Sequence, residues 1–188
     1  MQIVKAGAEK LVARYFAACC LAALVSVAAF WPAALAVAEE KSYQVDLANC
    51  AGFTAKDAAP LLGVPEAKVA RSAQKVHAAL WTCSFSGGQP TKMLTFSVEV
   101  AKSAKAAAAD IEQYRNNLEI TAETAPFKNK LPKGAWSEIA GDGLGDETVW
   151  TDVNGTFTAR KGNITIQVSM PGDKIGKINV GKAVLSKF

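Results

Sequence analysis

The chain predicts an α+β domain: an antiparallel sheet of about five strands, flanked by two or three helices and fastened by one disulfide. Three observations point there. Short runs that alternate large and small or polar side chains recur between glycine-rich turns, as hairpin strands do. Helical spacing appears in separate blocks after those runs, and no strand–helix–strand series of the kind a parallel sheet needs is present. Residues 39–188 also hold just two cysteines, Cys50 and Cys83, behind an N-terminal stretch with an export pattern.

That stretch begins with Lys5, Lys10 and Arg14 and continues through 24 uncharged residues, 15–38, before Glu39 and Glu40. A basic start, an apolar middle and the small-residue end Ala36-Val37-Ala38 form the pattern of a secretory signal peptide cleaved near Ala38. The run is also long enough for an uncleaved membrane anchor, although Pro32 interrupts a continuous helix. The expected organisation is a signal peptide over 1–38 and a single α+β domain over 39–188, periplasmic or secreted. Membrane contact is expected only through an uncleaved N-terminal segment. The 150 residues of the domain suffice for one hydrophobic core.

Within the domain, Thr54 opens a short helix, its hydroxyl placed to accept from the amide of Asp57, whose charge suits the first turn. Ala58, Ala59, Leu61 and Leu62 give it an apolar side, Pro60 should kink or shorten it, and Gly63 before Val64-Pro65 ends it. Residues 81–86 alternate as a half-buried strand, Gly87-Gly88-Gln89-Pro90 turns the chain, and 93–100 alternate again with Leu94, Phe96, Val98 and Val100 on one face. Ser103 caps the longest helix, 103–118, where Ala104, Ala107, Ala108, Ile111, Tyr114 and Leu118 recur at helical spacing. Residues 121–146 read as irregular. Three β-type runs follow, 148–151, 156–160 and 164–170, divided by Asn154-Gly155 and by Lys161-Gly162-Asn163. Asp173 caps a closing helix that contains Ile175, Ile178, Leu185 and Phe188. Each half therefore runs hairpin then helix, which hints at an internal duplication.

In an exported protein an even pair of cysteines most often bridges, so Cys50–Cys83 is the expected disulfide. Two buried free thiols, or a reactive or metal-binding thiol, are the alternatives. A zinc site would need further ligands, and His77 is the sole histidine. Cys-x-x-Cys is absent, so thiol–disulfide exchange has no support. Charge is equally sparing. Lys5, Lys10 and Arg14 against Glu9 account for half of the formal net charge of +4. The remaining charges alternate in sign, and no basic stripe with interleaved aromatics marks a nucleic-acid partner. Lys128, Lys130 and Lys133 form the densest basic patch and read as a solvated loop.

Cys50 ahead of Thr54-Ala55-Lys56-Asp57-Ala58-Ala59, then Leu61-Leu62-Gly63, then Trp81-Thr82-Cys83-Ser84-Phe85, resembles small exported bacterial domains of unknown function, many of them lipoproteins. Gly143-Leu144-Gly145-Asp146-Glu147, the strand ending at Arg160, the Lys161-Gly162-Asn163 turn and the closing helix are similar to the same plan. The chain departs from the lipoprotein form, because Cys19 and Cys20 sit near the start of the apolar run rather than after it. Domains of this type resemble the PsbP-like α+β fold, so the resemblance implies binding or assembly rather than catalysis. It carries over no catalytic residues.

The candidate site residues are accordingly modest. Trp81, Trp136, Trp150 and Tyr114 are expected in the core or at its rim, and become candidate ligand or partner contacts if they gather around one cleft. Asp142, Asp146 and Glu147 on the glycine-rich loop are a weak cation candidate, although their spacing matches no EF-hand. That loop also lacks the Gly-Lys-Ser/Thr ending of a P-loop; no cofactor and no metal are expected. The favoured function is a non-enzymatic binding or interaction domain for a protein or a small apolar ligand. The alternatives are a secreted inhibitor or effector, and a hydrolase or metal-assisted enzyme built on His77 or the 142–147 loop.

Overall fold

The described residues form six strands rather than five, five of them from the segments read as strands and one held by its pairing alone. A computed structural model describes residues 41–124 and 134–188. The signal-type segment over 1–38, with Ala38, and the lysine patch at 128–133 lie outside the described residues. The strands are β1 Ala70–His77, β2 Leu80–Gly87, β3 Lys92–Val100, β4 Glu147–Thr151, β5 Thr156–Lys161 and β6 Ile164–Val168. They form one antiparallel sheet in the order β1-β2-β3-β6-β5-β4. Among the described residues three α-helices accompany them, α1 Ala55–Leu62, α2 Ala104–Glu123 and α3 Lys174–Leu185.

The strand absent from the sequence reading is β1. All of its residues except Ala73 are exposed, so it carries no apolar alternation. It is an edge strand held by its pairing with β2, and Arg71 and Lys75 add the charge that often guards such an edge. With it, each half becomes a three-stranded meander followed by a helix, and the halves meet at β3 and β6.

Register assigns the two faces. Ala73, Cys83, Phe96, Val168, Phe157 and Trp150 stand opposite one another in turn, so one row of largely apolar side chains crosses the whole sheet. Leu94, Val98, Ile164 and Ile166 extend this first face, and α1, α3 and the segment around Cys50 and Phe53 close over it. Phe53 packs edge-on to both Phe85 and Phe96, with ring centroids 5.2 Å apart, a favourable aromatic geometry. Cys50 and Cys83 form the expected disulfide, which staples the segment before α1 to β2.

The helices keep most of their predicted signals. In α1 the carboxylate of Asp57 accepts from both the amide and the hydroxyl of Thr54, each at 2.8 Å. Together with the approach of the Asp57 amide to the Thr54 side chain, this makes a capping box at the start of the helix. The helix ends two residues after Pro60, where Gly63 turns left-handed at φ +66°. Ser103 caps α2 through the Ala106 amide at 3.1 Å. That helix runs to Glu123, past the predicted 118, because no glycine or proline interrupts 119–123 and Ala122 still packs on the core. Asp173 caps α3 through Gly176 at 2.7 Å. Ile175 points outward, 69% exposed, and the buried side of α3 runs instead through Val180, Gly181, Val184 and Leu185.

Candidate functional site

The row next to the apolar one gives the second sheet face its chemistry. Gln74, Thr82, Ser97, Gln167, Thr158 and Val149 stand opposite one another across all six strands. The row is polar until it reaches β4. Over β2 and β3 side chains of this face bond to each other, as in Thr82–Ser97 at 3.0 Å and Ser84–Thr95 at 3.2 Å. Over β4 and β5 the row passes beneath α2, whose Ile111 and Leu118 pack with Val149 and Ala135 in a second, smaller core.

Between α2 and this face lies a cleft of about 190 Å³, room for on the order of ten water molecules. Leu80, Ile111 and the Tyr114 ring supply its apolar surface; Ser97, Thr158 and Gln167 supply neutral hydrogen-bonding groups; Glu99 and Asp110 supply charge. Thr158 is 3% exposed. Its hydroxyl and that of Tyr114 are both closed off from solvent, and neither has a hydrogen-bond partner. Buried polar groups are nearly always paired, and leaving one unpaired costs about 1–3 kcal/mol. Two such hydroxyls on one small cleft therefore mark it as unusual.

The structure separates the other predicted site residues. Tyr114 lines the cleft. Trp136 sits beside α2, its indole N–H donating to Glu119 at 3.1 Å and its ring under the Arg115 guanidinium at 4.7 Å. Trp150, 7% exposed, belongs to the first face, where Lys174 and Lys177 lie 5.0 and 5.7 Å from its ring and Asp152 accepts from its N–H at 2.7 Å. Trp81 is half-buried on β2, opposite Val98. The three tryptophans thus lie in separate places: Trp136 beside a surface groove along α2, Trp150 and Trp81 on the first face.

The glycine-rich loop is a clasp on β5. A Cβ at Gly145 would stand 2.2 Å from the carbonyl oxygen of Arg160, and its φ of +84° suits glycine. Asp146 then donates its amide to that carbonyl at 2.7 Å and accepts from the Gly162 amide at 2.6 Å. The buried Arg160 guanidinium pairs with Asp146 at 3.3 Å and Glu147 at 2.9 Å, and Arg115 meets Glu147 at 3.4 Å. Asp146 and Glu147 thus pair with arginine, and Asp142 stands apart, exposed. Among the described residues no group of three or more His, Cys, Asp or Glu converges to hold a metal ion. His77 ends β1; its Nδ1 accepts from the Ala79 amide at 3.2 Å and its Nε2 lies 3.9 Å from Glu99.

Sequence reasoning found Tyr114 by helical spacing and missed Thr158, Ser97 and Gln167. The available signal was register: in 156–160 the threonines alternate with Phe157 and Ala159, which assigns them to the opposite face. That α2 would cover one of them had no local signature. No protein-family model matches this chain, and no curated protein or solved structure is detectably similar to it.

Proposed function

We propose that residues 39–188 act as an exported, non-enzymatic binding domain that takes a small, partly apolar ligand in the cleft beneath α2. The observation that carries this reading is the pair of buried hydroxyls, Thr158 and Tyr114, left without partners on a cleft that also offers apolar surface. A ligand with a polar end relieves that cost while its apolar part covers Leu80 and Ile111. The volume sits below the usual range for drug-sized ligands, so the occupant is small. Export draws support from the signal-type N-terminus and from the disulfide, which fits an oxidising compartment. Among the described residues no helix is long and apolar enough to cross a membrane.

The test is a two-dimensional NMR titration of the purified protein with small amines, alcohols and carboxylic acids. Binding is expected to move the signals of Ile111, Thr158, Thr165 and Gln167 together. If no compound perturbs the cleft, or all act elsewhere, the reading fails. A second reading, a secreted inhibitor or effector, draws on the exposed edge strand β1, which offers an unpaired backbone to a partner's strand. Under that reading a protein partner would protect the β1 amides from exchange and leave the cleft signals unmoved.

A further inference from the structure

Resting on the reading of this cleft as a ligand site, we infer that its ligand is a small cationic amine with a neutral polar group at its other end. The lining carries two carboxylates, Glu99 and Asp110, and neither lysine nor arginine. Several acids elsewhere in the described residues do have basic partners: Asp57 with Lys187, Asp146 and Glu147 with Arg160, Glu138 with Arg115. Glu99 has only the His77 ring nitrogen at 3.9 Å, beyond hydrogen-bond distance. The Asp110 carboxylate has no side-chain hydrogen bond or ion pair among the described residues. Two carboxylates with no lysine or arginine beside them in the lining create a local field that favours a cation and disfavours an anion.

Exposure orders the ligand. The Glu99 side chain is 41% exposed and Asp110 is exposed, so the charge stands at the mouth. Thr158 and Ile111 are buried, so the neutral hydroxyls and apolar surface stand at the inner end. The amine therefore faces outward and a hydroxyl or carbonyl faces inward, toward Thr158 and Tyr114, each of which can donate or accept. A lysine side chain arriving from a partner protein would present its ammonium first, to the neutral end. The geometry thus favours a free small molecule over a protein side chain.

The experiment compares four probes on the purified protein by calorimetry and NMR: 4-amino-1-butanol, its neutral isostere 1,4-butanediol, the anion 4-hydroxybutyrate, and N-acetyl-lysine methylamide standing in for a partner's lysine. The amino alcohol is expected to bind about tenfold more tightly than the diol, because a charge-assisted hydrogen bond is worth roughly twice a neutral one. The anion should bind more weakly than the diol, and the lysine mimic no better than it. In a Glu99→Gln, Asp110→Asn double variant, changes at a half-buried and an exposed position, the ratio of amine to diol affinity should fall to about one. If diol and amino alcohol bind equally to the wild type, the charge inference is overturned while the cleft reading stands. If the lysine mimic matches the amino alcohol, the outward orientation is wrong. If none of the four moves the cleft signals, both readings fall.

Discussion

Thr158 and Thr151 are the same residue type on neighbouring strands, both buried, and they should answer the same substitution with opposite signs. The hydroxyl of Thr151 donates to the carbonyl of Ala135 at 2.8 Å and accepts from the amide of Val153 at 3.1 Å. Replacing it with valine orphans both groups, at about 1–3 kcal/mol. The hydroxyl of Thr158 bonds to nothing, so Thr158→Val removes an unpaired polar atom and keeps the shape. Valine also suits a strand at least as well as threonine does. Thr158→Val is expected to raise stability by about 1 kcal/mol, and Thr151→Val to lower it, in urea unfolding of the ligand-free protein. A Thr158→Val variant as unstable as Thr151→Val would mean that the hydroxyl has a partner.

At the scale of elements, what was legible depended on whether a segment carries its own apolar face. The β2–β3 hairpin and β5–β6 read correctly because Phe85, Leu94, Phe96, Ile164 and Ile166 alternate with small or polar neighbours and are buried on one side. In contrast, β1 was invisible because its pairing partner, not its side chains, makes it a strand. The site divided in the same way: Tyr114 lies on a helix with clear periodicity, whereas Thr158 looks like an ordinary solvent-side threonine until α2 is laid over it. Even within a correctly predicted helix, the buried stripe of α3 was misjudged at Ile175, because its inward side is defined by a glycine. A Cβ at Gly181 would stand 2.3 Å from Cε1 of Phe157, which is itself fully buried beneath the helix. Gly181→Ala brings a helix-propensity gain of about 1 kcal/mol, set against overpacking that typically costs about 1–3 kcal/mol. The clash should win, because Phe157 lies between α3 and the sheet and has little room to yield. A lower denaturation midpoint is expected for Gly181→Ala; a raised midpoint would show that α3 can lift off Phe157 freely.

Over the whole molecule, two fastenings tie the segments outside the two meanders to the rest. The Cys50–Cys83 bridge spans 33 positions, a loop whose closure is worth about 3–4 kcal/mol in the entropy model, a sizeable share of the roughly 5–15 kcal/mol that holds a typical domain together. At the other end of the chain, Lys187 reaches Asp57 at 2.7 Å and so joins the C-terminus to α1. Asp57 is therefore at once a helix-capping group and half of an ion pair between distant segments. Partial burial alone would raise its carboxyl, but the hydrogen bonds from Lys187 and Thr54 outweigh it and hold the group below its ordinary value of 3.8. A carboxyl depressed by folding contributes stability that is fully present above its unfolded value, about pH 4, and is lost as the pH falls through the folded value. Asp57→Asn should accordingly be less stable than the wild type at pH 7, by about 1 kcal/mol for a lost, largely covered ion pair and a capping bond weakened from charged to neutral. The gap should narrow steadily below pH 4 as the wild-type carboxylate takes up its proton. Urea midpoints of the two proteins measured from pH 7 down to pH 2.5 decide the matter. A gap as wide at pH 2.5 as at pH 7 would mean that the shape of the side chain, and not its charge, secures the C-terminus to α1.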